Sequence, residues 1–482
     1  MSAHASAFPR RLLVILTMGG LWALVAVLIP TAGAFAGRMM ATDLAYQIRA
    51  GTVMLDSHRL LDVDIFTFTI DGEPWLNQQW AAQVLLAAIY RAGGWDGIAI
   101  MRGVLLCLIL AVLYRTCRVA GAGPRTAAIL TIAGWIVGID MIPWTRPQLF
   151  GFVLFVLALW VVTTRHASPK RIWWIPVLVV PWANLHGSFP LVIVLLGIAW
   201  LEDHRGDPMF GRKIFLVGVA AILASLANPF GARVWPYALN IATHPVVVRE
   251  IAEWSPPSIH TPTGFIFFIS LFAVGVLLAR RSRSVGWVPL LTLGLFAGVG
   301  LLAVRGVGWW AIVAPVTGAS VLRDDQVRTD SERPRMHLVF ALMIVAATLV
   351  TLPIGRGRDP VSGGPAVLTY APGTLVSAAR RVAPAGSHLF VSQPYASWTE
   401  FAAPSLPVTL DSRLELFPIR VWDDYQTVLH GRAGWHEVLD EWDVKVLILA
   451  PGEAEGLLGV LPTHPEWRLI SHNTSGFVYG RP

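Results

Sequence analysis

Eight side chains in this sequence have types and settings that suit group-transfer chemistry. Asp43 follows the first apolar run by a few residues. Arg146 stands in "DMIPWTRPQLF", Asn184 and His186 in "PWANLHGSFP", Glu253 in "VVVREIAEW" and Arg305 in "LLAVRGVGWW"; Asp411 and Arg413 share "LDSRLELF". A carboxylate can take a proton from an attacking hydroxyl, and guanidinium groups can hold a phosphate through paired N–H donors. Each residue also has a plainer reading. Asp43 can cap a helix, and Arg146 and Arg305 can snorkel to lipid headgroups. His186 can be a satisfied interface histidine, and Glu253 can be solvated or paired with a nearby arginine. The set lies far apart along the chain, so only a fold that returns several turns to one level unites it.

The elements that must do this are apolar. The 482 residues are 55% hydrophobic and 14% charged, with mean hydropathy +0.59, where a soluble domain carries roughly 25% charge. The apolar excess falls in runs of about 20 residues, the length that crosses a bilayer core. Eleven spans are expected, near 11–34, 97–115, 126–143, 148–164, 172–185, 187–201, 213–228, 263–280, 285–303, 308–322 and 336–354. The start is read as an uncleaved first helix rather than a signal peptide, because its apolar run is long and many spans follow. Cys107 and Cys117, ten residues apart on one run, are about 15 Å apart on a helix, too far for a disulfide. The net charge of +7 reflects arginine-rich loops rather than nucleic-acid binding, for which no motif appears.

Alternate loops carry Arg10/Arg11, Arg115/Arg118/Arg125, Arg165/Lys170/Arg171, Arg212/Lys213, Arg280/Arg281/Arg283 and Arg323/Arg328/Arg333/Arg335. The positive-inside rule makes these cytoplasmic, with the N-terminus. Residues 36–96, 144–147, 184–187, 229–262 and 304–307 then face outside, and so does the tail. All eight candidate residues lie on that side. In the long first loop (36–96), "WLNQQWAAQVLLAAIY" reads as an interfacial helix, and Asp62, Asp64 and Asp71 surround a β-like "IFTFTI". The tail alternates β-like runs ("SHLFVS", "PVTLDS", "VKVLILA", "GFVYG") with helix-like ones ("TLVSAARRVA", "GWHEVLDEW", "EAEGLLGVL"). That pattern fits a small α/β domain over 355–482, following a transmembrane domain over 1–354, with 355–367 as linker.

Several pieces together resemble the GT-C glycosyltransferases: "DLAYQIRAGTVMLDSHRLLDVDIFTFTIDGEPWLNQQW", "TRPQLF", "WANLHGSF", "NPFG…EIAEW" and "LDSRLELFP…DDY". More narrowly, they are similar to a group of bacterial polytopic proteins in that superfamily. The resemblance implies a GT-C-like fold in the bacterial inner membrane and transfer of a sugar from a polyprenyl-phosphate carrier. In the superfamily the first-loop acid is the catalytic base, or in some members a metal ligand. Asp43 matches that place. Its flanks, Thr42 and Leu44, depart from the paired-acid form; no cofactor is expected, and a divalent metal is left open.

The expected mechanism is a single inverting displacement with Asp43 as base. Arg146, Arg305 and His186 hold the donor phosphate. Asn184, Glu253, Asp411 and Arg413 bind substrate. The partners are a polyprenyl-phosphate-linked sugar, an envelope glycan, lipid or protein acceptor, and membrane lipids. A polymerase or ligase moving a whole lipid-linked glycan makes the same demands. A transporter or flippase would place charge or broken helices near mid-membrane, and the spans here are almost free of central charge. A non-catalytic assembly protein would make no demand on Asp43.

Overall fold

The structure, a computed structural model, describes residues 17–241, 244–250, 252–281, 285–322 and 334–481. The first residues of the expected first span, the leader reading, and Arg10, Arg11, Arg283, Arg323, Arg328 and Arg333 of the charge pattern lie outside those residues.

Each expected span coincides with a helix. These are α1 (Met18–Ala36), the second half of α3 (Trp80–Ala120), α4 (Pro124–Val137), α5 (Gln148–Thr163), α6 (Trp174–Leu185), α7 (Leu191–Gly206), α8 (Pro208–Ser225), α11 (Pro262–Arg280), α12 (Trp287–Leu302), α13 (Val307–Val321) and α14 (Pro334–Val350). Among the described residues, four are long and apolar enough to cross a membrane: α1, α3, α8 and α11. The others are shorter; the 12-residue α6 rises only about 18 Å. Phe265, Ile269 and Phe272 of α11 are exposed, as expected of a helix facing lipid.

The remaining helices fall outside the expected spans. The first loop contributes α2 (Ala41–Ser57) and the first half of α3. Gly94, at φ 58°, breaks α3 in two. Gly51 lets α2 lie directly on α3, since a Cβ there would overlap the Gln83 carbonyl. Two short helices, α9 (Val234–Asn240) and α10 (Pro245–Glu250), lie between α8 and α11.

The tail folds around a sheet of four strands, β3 (His388–Val391), β4 (Val444–Leu449), β5 (Arg468–Asn473) and β6 (Gly476–Gly480), in the order β3-β4-β6-β5. β3 and β4 are parallel, and the other pairs are antiparallel. Helices α15 (Gly373–Val382), α16 (Gln393–Ala402), α17 (Ile419–Leu429), α18 (Trp435–Glu441) and α19 (Glu455–Val460) surround it. The expected strand "PVTLDS" is irregular: Val408 makes only isolated bridges, to Thr67 and Leu389.

The tail is bound to the first loop throughout. A short parallel pair joins β1 (Met39–Met40) to β2 (Leu368–Thr369). One buried core combines Leu44 and Ile48 of α2 with Leu375, Ala396, Val408 and Ile448 of the tail. The expected linker is tied down as well. Arg356 donates to the Phe35 and Ala36 carbonyls at 2.6 and 3.0 Å, and Asp359 pairs with Arg38 at 3.1 Å.

Candidate active site

One small cavity of about 90 Å³ gathers Asp43, His186, Arg146, Arg305 and Arg413, with Tyr46, Gln47, Tyr237 and Glu415. Asp43 lies in the first turn of α2, where a carboxylate is favoured by the helix dipole. Its Oδ2 forms an ion pair with Arg146 Nε. Arg146 also donates through Nη1 to Glu253 Oε2 at 2.7 Å, and Arg305 Nε reaches the same oxygen at 2.9 Å. Glu253 thus holds two arginines together. Burial alone would raise its carboxyl, but Arg146 and Arg305 outweigh burial and hold it below the usual carboxylate range. Burial likewise opposes the Arg146 charge, and Asp43 with Glu253 restores it. Each guanidinium stacks on an indole, Arg146 over Trp144 at 4.1 Å and Arg305 over Trp254 at 5.0 Å, which fixes their planes.

His186 lines the cavity but is not a cation. Its Nδ1 accepts from the Ser188 N–H at 3.1 Å and faces Ser188 Oγ at 2.9 Å. The ring proton of the neutral form therefore sits on Nε2. Burial, then Arg305, pushes its pKa down to about 3. The neutral ring offers its Nε2–H to the cavity as a donor.

Asn184 does not join the group. Its Oδ1 accepts from Trp80 Nε1 at 2.9 Å, and its Nδ2 donates to the Val180 and Ala227 carbonyls at 2.8 and 2.9 Å. With these bonds it clamps the end of α6 to α3 and to the turn after α8, and it makes no bond to His186. Gln78 reinforces the clamp by donating to the Ala183 carbonyl at 2.7 Å.

Asp411 and Arg413 form a buried staple. Arg413 donates its N–H and Nε to Asp411, both at 2.7 Å, and pairs with Asp64. Asp64 in turn accepts from Thr67 N and Oγ1 at 3.0 and 2.7 Å. Arg413 forms one wall of the cavity. Asp411 is fully buried behind it and orients Arg413 through those two bonds.

Residues outside the expected set, Tyr46, Gln47, Tyr237 and Glu415 among them, complete the walls. Glu415 Oε1 accepts from Tyr237 Oη at 2.9 Å, and burial raises its carboxyl. Gln47 Nε2 donates to Tyr46 Oη at 2.6 Å and to Gln79 Oε1 at 3.1 Å. The adjacent carboxylate in "LDSRLELF" was the available signal for Glu415; nothing in the spacing marks Tyr237.

The carboxylates that a divalent metal would use, Asp43 and Glu253, both close on Arg146. Among the described residues no group of three His, Cys, Asp or Glu side chains is arranged to hold a metal ion. The residues do not fit such an ion, and no step is routed through one.

A second compartment adjoins the cavity. A groove of about 670 Å³ runs beside α1 and α4, lined by Val25, Ile29, Pro30, Ile132, Trp135 and Ile139 and ending at Arg38, Arg102 and Arg146. Arg102 is engaged with the carbonyls that end α1, including Gly37 O at 2.7 Å, and Arg38 with Asp359. Arg146 belongs to the walls of both groove and cavity.

No protein-family model matches the chain, and no curated protein matches it. Among solved structures, it is similar to the archaeal oligosaccharyltransferase AglB from Archaeoglobus fulgidus, in complex with an inhibitory peptide and a dolichol-phosphate. The likeness has a TM-score of 0.54 at 12% identity and covers 99% of this chain and 75% of that one. At such identity it carries the fold alone.

Proposed function

We propose that this chain is a membrane glycosyltransferase that moves a sugar from a polyprenyl-phosphate carrier to an envelope acceptor at the outer face of the bacterial inner membrane. The observation that carries this reading is the position of Arg146, shared by an apolar groove and a polar cavity containing Asp43. An isoprenoid chain suits the groove, and its phosphate then meets a guanidinium at the groove's end. The dolichol-phosphate in the AglB complex supports a lipid phosphate as the ligand class. In this reading eleven helices cross the bilayer, the N-terminus is cytoplasmic, and residues 355–482 form an extracytoplasmic domain.

In the displacement, Asp43 Oδ1 takes the proton of the acceptor hydroxyl while Oδ2 remains on Arg146. The acceptor oxygen attacks the anomeric carbon. The bond from that carbon to the phosphate oxygen breaks, and the phosphate keeps the electron pair. Arg146 and Arg305 stabilise the departing charge, and the neutral His186 donates a hydrogen bond beside them. The anomeric configuration inverts. Glu253 keeps the two arginines in place, and Asp411 and Arg413 hold the cavity wall. The oligosaccharyltransferase neighbour supports a second reading, in which a whole glycan leaves a lipid carrier in the same cavity.

The test uses the wild-type chain and Asp43→Asn in detergent, with radiolabelled polyprenyl-phosphate sugars and a crude envelope extract. Wild type is expected to discharge one donor, and Asp43→Asn to be slower by about 10²–10⁴-fold, the usual worth of a general base. Equal discharge by both proteins removes Asp43 from the chemistry.

A further inference from the structure

The reaction cavity is small, about 90 Å³. It opens toward the lipid groove through Arg146. On another side it meets a cleft of about 420 Å³, and Tyr237, Ile241 and Glu415 wall both spaces. We propose that this cleft is the entrance for the acceptor, that the acceptor is a saccharide, and that Glu415 binds a hydroxyl next to the attacking one. The inference rests on the transferase reading above and deepens it.

The lining supports a saccharide. Pro74, Leu76, Pro236 and Leu416 offer apolar surface for ring faces, while Arg233 and His244 offer polar groups for hydroxyls. His244 Nδ1 is buried with no hydrogen-bond partner, a condition that a ligand hydroxyl relieves. Glu415 itself accepts from a neutral phenol, Tyr237, rather than closing on a cation. The nearest guanidinium on its own segment, Arg413, is held by Asp64 and Asp411. The charged pair on α10 faces elsewhere: Arg249 meets Asp423 at 3.1 Å, and Glu250 accepts from Gln426 at 3.0 Å. A carboxyl without a cationic partner at the junction of cleft and cavity is placed to accept a hydrogen bond from an arriving hydroxyl. Selectivity then resides in this junction, because a site built to bond a hydroxyl rejects acceptors that lack it.

The experiment divides the envelope extract into glycan, lipid and protein fractions. Each fraction is given to the full chain in detergent with the labelled donor. The readout is the ratio of label transferred to label released as free sugar. The glycan fraction is expected to accept label in wild type. Glu415→Gln and Leu416→Trp are expected to lower the ratio about tenfold or more, through the KM for that fraction, with partial recovery in Glu415→Asp. Ratios within about twofold of wild type in both variants overturn the assignment, as does transfer to the protein or lipid fraction. A second readout needs no turnover. Leu416→Cys is labelled by a membrane-impermeant maleimide, and the glycan fraction alone is expected to slow labelling. Absence of that protection refutes the entrance whether or not donor is consumed. Protection in a protein that consumes no donor counts against the proposed donor and leaves the entrance standing.

Discussion

Replacing Arg413 by Met isolates one of the contacts that hold the tail to the first loop. Arg413 is 2% exposed, and its partners Asp64 and Asp411 are fully buried. Its guanidinium lies 4.6 Å from the Trp75 ring centre, 5.0 Å from Phe66 and 5.8 Å from Tyr46. Met replaces much of the volume but leaves two carboxylates enclosed without their cation. Breaking a buried pair in this way costs about 3–5 kcal/mol. For domains of roughly 150–250 residues, 1 kcal/mol moves Tm by about 2–4 °C, and the shift shrinks with size. For this chain the apparent midpoint should therefore fall by about 3–10 °C, followed by tryptophan fluorescence in detergent at neutral pH. The triple change Arg413→Met, Asp64→Asn, Asp411→Asn removes the orphaned charges and should recover most of the loss. A single variant melting within about 1 °C of wild type refutes the argument. So does a triple variant no more stable than the single one.

Two further predictions concern groups held away from their ordinary protonation. Burial, then the Asp411 charge, raises the Glu400 carboxyl. The folded chain therefore keeps a proton that the unfolded chain releases near pH 4.3, and stability is lost as pH rises from there toward the raised value. Glu400→Gln should flatten the fall in melting temperature between about pH 6 and pH 9; an unchanged slope counts against a buried neutral Glu400. His186 works in the opposite direction. With a folded pKa of about 3 against about 6.5 unfolded, stability is lost as pH falls through that window. His186→Asn should melt less acid-sensitively between about pH 6.5 and pH 4.5, and an equal acid slope would mean the ring is not held neutral.

The apolar runs located every helix of the bundle, because burial in lipid or in a helix core needs a continuous stretch of apolar side chains. The candidate cavity was legible in part. Asp43, Arg146, Glu253, Arg305 and His186 stand beside apolar runs, where polar residues are conspicuous. What they touch was not legible. The bond from Trp80 to Asn184 spans 104 positions and the pairing of Asp64 with Arg413 spans 349, so no spacing rule reaches them. Asn184 looked available because two of its three partners, Trp80 and Ala227, lie far from it in the sequence. "PVTLDS" has the alternation of a strand, but Val408 bridges only to Thr67 and Leu389, so its neighbours make no continuous ladder. Glu415 was passed over because its significance comes from the cleft on its far side, a property of the folded surface alone.

The order of the three compartments limits what the protein can discriminate. In the proposed reading the groove selects by length and apolarity, since its lining is mostly aliphatic or aromatic. At the cavity a chain of ion pairs, Asp43–Arg146–Glu253–Arg305, balances two carboxylates against two guanidinium groups. An arriving phosphate adds negative charge to a neutral cluster, so it must compete with Glu253 for the two guanidinium groups. Arg305 gives only Nε to Glu253, which leaves its terminal nitrogens for a second anion, while Arg146 is held on two sides. In the proposed reaction the phosphate meets Arg146 at the groove and gains the terminal nitrogens of Arg305 as its charge grows in the displacement. That sequence makes the interaction stronger at the transition state than in the bound donor, which is the condition for acceleration rather than mere retention.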